Sequence, residues 1–137
     1  MVKRPIQQQP FVTAELMAAE ALGLRLTEEY VRLVRNKLRE KAHRVEGSVQ
    51  YYALFADSEW TPEELDDRIF GAVRLLYEYT GPSSNNGVPN LENRIAELKK
   101  LVLRLADEKG SPELPIVHKI RNDEIPRPSA RFSLRAG

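Results

Sequence analysis

An all-α bundle of about four helices, with an extended basic arm at each end, is the architecture predicted here, and three patterns predict it. Prolines are confined to positions 5, 10, 62, 82, 89, 112, 115, 126 and 128, leaving 11–61 and 90–111 free to run as helix. Apolar residues within those stretches recur at three- and four-residue spacing. No segment shows convincing period-two alternation, and no internal repeat is present. The organisation that follows is an N-terminal extended arm over 1–12, a helical bundle over 13–110 and a Pro/Arg-rich C-terminal arm over 111–137.

The first helix is expected over residues 13–22, with Thr13 as its N-cap and Gly23 as its stop. Thr27 can cap the second, which runs to about Glu46 before Gly47, with Val31, Val34, Leu38, Ala42 and Val45 on one stripe. Residues 48–56 (SVQYYALFA) either extend it past a kink or form a separate turn, and their composition favours helix. Thr61-Pro62-Glu63-Glu64 is a strong start signal, combining N-cap, first-position proline and capping box. The acids of that start also suit the positive end of the helix dipole. The helix it opens reaches about Thr80, with Leu65, Ile69, Val73, Leu76 and Tyr77 inward and Gly71 open to close approach by another backbone. A loop over 81–89 precedes a last helix, capped by Asn90 and ended by Gly110, with Leu91, Ile95, Leu98, Val102 and Leu105 in line. Residues 111–137 hold four prolines and no helical period, and fully extended would reach about 80–90 Å.

The composition removes whole classes of function. A chain of 137 residues suits one domain. The absence of cysteine excludes disulfides, thiolate metal sites and cysteine nucleophiles. Two histidines, His43 and His118, are too few for a histidine-rich metal centre. No apolar run approaches the roughly 20 residues of a membrane span and the N-terminus has no signal-peptide stretch, so a soluble protein without a membrane span is expected.

The net charge of +1 conceals segregation. Residues 30–44 carry six bases against Glu40 alone, a net of +5, whereas 57–67 carry six acids and no base. The segment 115–137 has a net of +3, and Lys3 and Arg4 add two charges at the other end. On the second helix Arg32, Arg35, Asn36, Arg39 and His43 project within about 100° of arc. Guanidinium and amide groups so spaced can meet successive phosphates, because guanidinium chelates phosphate oxygens. The alternative is a solvated face laced to Glu40 and to the acids that open the 61–80 helix; the two basic arms bring the readings level. Arg127, Arg131 and Arg135 recur every four residues in the C-terminal arm, with Phe132 between.

No catalytic constellation is present: there is no phosphate-binding loop, nucleophile elbow, zinc-protease signature or calcium loop. Glu63, Glu64, Asp66 and Asp67 are better explained as helix-start acids than as a metal site, since adjacent residues on a helix do not face one another. Tyr51, Tyr52, Phe55 and Trp60 read as core or subunit contacts. A non-enzymatic protein without metal or cofactor is expected.

Residues 14–40 resemble a helix-turn-helix through Ala18-Ala19 and Ala21-Leu22-Gly23-Leu24 followed by Thr27. That resemblance implies a second helix in the major groove with Arg32, Arg35 and Asn36 near bases or phosphates, although a helix running to Glu46 is longer than usual there. The whole-chain layout, with its helical bundle and two basic, proline-containing arms, resembles the major coat proteins of archaeal filamentous viruses. Small all-helical subunits of that family pair as dimers and wrap linear double-stranded DNA in A-form. The resemblance implies a virion protein assembled in the host cytoplasm, a homo-oligomer or a pair with a paralogous coat subunit. Arg32, Arg35, Asn36, Arg39 and His43, with Lys3, Arg4, Arg127, Arg131 and Arg135, would then neutralise the phosphate backbone without reading sequence. A helical protein-binding adaptor, with the 57–67 acids as its partner surface, is a third possibility.

Overall fold

The computed structural model describes residues 10–81 and 87–126, and the described chain is all-helical. The expectations for Lys3, Arg4, Arg127, Arg131 and Arg135 lie outside the described residues. Six α-helices are present among the described residues, rather than about four: α1 (Thr13–Leu22), α2 (Glu28–Arg44), α3 (Gln50–Phe55), α4 (Leu65–Thr80), α5 (Leu91–Lys109) and α6 (Pro115–Arg121).

Local chemistry sets the boundaries. Val12, not Thr13, caps α1, because the Glu15 carboxylate reaches back to accept from the Val12 N–H at 3.0 Å. Gly23, at φ 70°, ends α1 in the left-handed conformation, and the Leu24 N–H closes on the Ala19 carbonyl at 2.8 Å. Thr27 caps α2 through its hydroxyl, which accepts from the Tyr30 N–H at 3.1 Å. α2 stops at Arg44, earlier than expected. Gly47 and Ser48 both take positive φ, and the Ser48 N–H folds back on the Ala42 carbonyl at 2.9 Å, which makes α3 a separate helix. The Thr61 N–H donates to the Glu64 carboxylate at 3.0 Å as the capping box requires, but Pro62–Glu64 form a 3₁₀ turn before α4 proper.

α4 is the centre of the bundle. Its apolar residues fill successive positions, Ile69, Phe70, Ala72, Val73, Leu75 and Leu76 among them, so it is buried nearly all round. α5 and α1 pack most extensively on it, while α2 packs chiefly on α3. α1 contributes Ala18, Ala19 and Ala21, small side chains that admit close packing, and α5 contributes Ile95, Leu98, Leu101, Val102 and Leu105. A Cβ on Gly71 would stand 3.2 Å from both Leu38 methyl carbons and 3.3 Å from one of Leu54, so the close approach there is made by side chains of α2 and α3.

The C-terminal segment departs from expectation. Pro115 occupies the first turn of α6, and Ile116, Val117 and Ile125 are buried in the same core as α4 and α5. Residues 111–126 therefore belong to the packed body and are not an extended arm. Proline density masked a short apolar pattern at 116, 117 and 120, because proline in a first helical turn is permitted rather than disruptive.

Candidate nucleic-acid interface

α2 carries its cations on both flanks of the buried stripe Val31, Val34, Leu38 and Ala42, and the two flanks have different partners. On one side the helix faces the acidic segment. Lys37 Nζ lies 2.7 Å from Asp67 and 3.2 Å from Glu64. Lys41, nearly buried, donates to the Glu59 carbonyl at 2.6 Å and to Glu64 at 3.1 Å, with its ammonium 4.5 Å from the centre of the Trp60 ring. Arg44 meets Glu59 at 2.8 Å and Glu40 at 3.7 Å. Burial pushes the Glu64 carboxyl up, but the Thr61 N–H, Lys41 and Lys37 outweigh it and bring it down to about 2. The bond to Asp67, joined by that to Glu64, raises the Lys37 ammonium above its ordinary value.

On the other side, Arg35 makes a two-pronged bond to Glu15 of α1, both contacts at 2.7 Å, and donates to the Pro10 carbonyl at 3.1 Å. Glu15 is fully buried, and Arg74 of α4 approaches the same carboxylate at 3.9 Å while reaching Gln50 at 3.3 Å and Glu78 at 3.4 Å. Burial pushes the Glu15 carboxyl up; the bonds from Arg35 and Val12, with the charges of Arg35 and Arg74, hold it below the ordinary carboxylate range. Arg35 is thus a strut between α2 and α1.

Between these flanks a row remains turned to solvent: Arg32, Asn36, Arg39 and His43 are all exposed. At 1.5 Å per residue they span about 16 Å along the helix. Arg39 donates to the Asn36 side-chain oxygen at 2.8 Å, and the His43 ring lies 3.3 Å from the Ser48 hydroxyl. Among the described residues neither Arg32 nor Arg39 has an ion-pair partner. Two guanidinium groups, an amide and an imidazole therefore present donors along one edge, a set suited to phosphate oxygens.

The side chains that organise this surface, Glu15 foremost, leave only a faint trace in the sequence. Glu15 shares a face with Ala18, Ala19 and Leu22, and an acid at an inward position was the available signal of a buried partner. The aromatic residues divide: Trp60 is buried and donates to the Ala53 carbonyl at 2.9 Å, whereas Tyr52 is exposed. Arg94 of α5 stacks 4.6 Å from Tyr51 and bonds the Tyr79 hydroxyl at 3.0 Å. No group of three or more acidic or histidine side chains among the described residues is placed to hold a metal ion. No helix among them is long and apolar enough to cross a membrane.

The described chain is thus an all-helical body whose second helix bears an exposed basic row. No protein-family profile, curated protein or solved structure matches the chain.

Proposed function

We propose that the chain is a structural coat protein, without enzymatic activity, that polymerises around linear double-stranded DNA and neutralises its phosphates. The observation that supports this reading is the exposed row Arg32, Asn36, Arg39 and His43, held outward while the other cations of α2 are tied to acids of the same molecule. Contacts of that kind bind backbone without reading bases. Exposed apolar side chains Val12, Leu16, Met17 and Leu24 lie along α1 and its exit, a surface for a neighbouring subunit of the same or a paralogous chain. Arg35 holds α1 against α2 rather than meeting phosphate.

Negative-stain electron microscopy with and without linear duplex DNA at low salt tests this. The expected result is filaments whose length follows the DNA, lost in an Arg32→Ala, Arg39→Ala double variant that stays folded. A helix-turn-helix regulator is the second reading, favoured by α1 and α2 being joined by a short turn through the left-handed Gly23. It predicts discrete particles at particular DNA sites. No association with DNA would overturn both and leave a protein-binding adaptor.

A further inference from the structure

Away from the basic row, a cleft of about 440 Å³ opens between the 57–65 segment and α5. That volume falls within the roughly 300–1,000 Å³ usual for small-molecule sites. Trp60, Pro62 and Leu65 supply its apolar lining. Its polar lining is Thr61, the carboxylates of Asp57 and Glu108, and the guanidinium groups of Arg68 and Arg104. Glu108 holds Arg104 Nη1 at 3.2 Å, and the two guanidinium groups converge through their Nη2 atoms on one oxygen of Asp57. Arg68 Nη2 bonds Asp57 Oδ1, and Arg104 Nη2 meets the same atom at 3.0 Å. The Arg68 side chain is only 6% exposed, and its Nε donates separately to the Leu54 carbonyl at 2.9 Å. Its orientation therefore survives without Asp57. The guanidinium carbon also stands 5.8 Å from the Trp60 ring centre.

Asp57 is fastened far less firmly. Its side chain is 64% exposed and stands on a single 3₁₀ turn, Asp57–Glu59. A buried, preset guanidinium beside a second one is therefore occupied by a carboxylate that can swing into water.

We propose that this cleft binds a small monocarboxylate with a flat apolar body, whose carboxylate replaces Asp57 between Arg68 and Arg104 while its body lies against Trp60 and Leu65. Two converging guanidinium groups select a carboxylate, and the aromatic and aliphatic lining selects the body. Asp57 acts as an internal competitor: its bonds to Arg68 and Arg104 hold its carboxyl below the ordinary range, so it is ionised at neutral pH.

Trp60 is the single tryptophan of the chain, so its indole N–H resonance and its emission report on the cleft directly. The probe is phenylacetate, titrated into the full chain, with benzylamine as a body of like shape and opposite charge. Expected are a saturable shift of the Trp60 signals with phenylacetate and none with benzylamine. Asp57→Asn should bind at least about tenfold more tightly and Arg104→Ala at least about tenfold more weakly, the scale of one charged hydrogen bond. Thermal melts establish that each variant is folded, and Arg104, on the exposed edge of α5, carries the test if Asp57→Asn does not fold. The proposal is overturned by equal responses to the two probes, by no saturable shift in the wild type, or by unchanged affinity in Arg104→Ala.

Discussion

Replacing Glu15 with Gln removes one charge and almost no volume from the junction of α1, α2 and α4. The carboxylate accepts two charged bonds from Arg35 and one from the Val12 N–H, and it faces Arg74. An amide turns an N–H₂ toward groups that are themselves donors and offer it no acceptor. Removing one partner from a fully buried pair costs about 3–5 kcal/mol. Arg35 keeps 39% of its side chain exposed, so water replaces part of its bonding. The expected loss is about 2–3 kcal/mol. For a domain of this size that lowers Tm by about 6–12 °C in a circular-dichroism melt. The pH dependence gives an independent check. The native carboxyl titrates below its ordinary value of 4.5, so the pair stabilises fully above that pH and the contribution is lost as pH falls through the native value. The Gln variant lacks that contribution, so the gap in stability between the two proteins should close in acid. A Tm shift under about 2 °C at neutral pH, or a gap that stays constant down to acid, would refute the account of Glu15 as an ionised, load-sharing partner of Arg35.

Other expectations follow from the same structure. Gly71→Ala trades a gain in helix propensity of about 1 kcal/mol against crowding of Leu38 and Leu54 that costs about 1–3 kcal/mol, so urea denaturation should show a net loss. Ile116→Ala should cost about 2–4 kcal/mol and lower hydrogen-exchange protection across α6; an effect near zero would mean that the segment after Gly110 does not dock. Glu64→Gln should blunt acid unfolding between pH 4.5 and about 2, where the wild-type carboxylate takes up its proton and releases Lys37 and Lys41. Removing Arg32 and Arg39 together should make the slope of log affinity for duplex DNA against log salt shallower by about 2; an unchanged slope would exclude the α2 row from the interface.

Much of the bundle was legible because its signals are local. The Thr27 cap, the Thr61-Pro62-Glu63-Glu64 start and the apolar stripe of α5 each depend on residues within a turn or two of one another. The errors arose where a distant residue decided the outcome. Thr13 has the chemistry of a cap, but Glu15, fixed by Arg35 twenty positions away, moves the cap to Val12. α6 is too short to show a period and is held by burial of Ile116, Val117 and Ile125 against the core. For the basic face, helical periodicity placed Arg35 with Arg32, Asn36, Arg39 and His43 by angle alone. Angle carries no information about which cations meet acids from elsewhere in the chain. On the alternative reading that face is laced to Glu40 and to the acids that open the 61–80 helix. The cations that meet residues 59–67 are instead Lys37, Lys41 and Arg44 on the neighbouring flank, which only the packing of α2 beside that segment decides.

The tethers on α2 have a mechanical consequence. Lys37, Lys41 and Arg44 pull one flank toward the 59–67 segment, Arg35 pulls the other toward α1, and Leu38 fills the notch at Gly71. Rolling the helix about its own axis in either direction stretches one set of ion pairs and drives Leu38 out of its notch. The rotational setting of the outward row is therefore fixed by the fold itself, so on the proposed reading the entropy of orienting it is lost during folding rather than on contact with DNA.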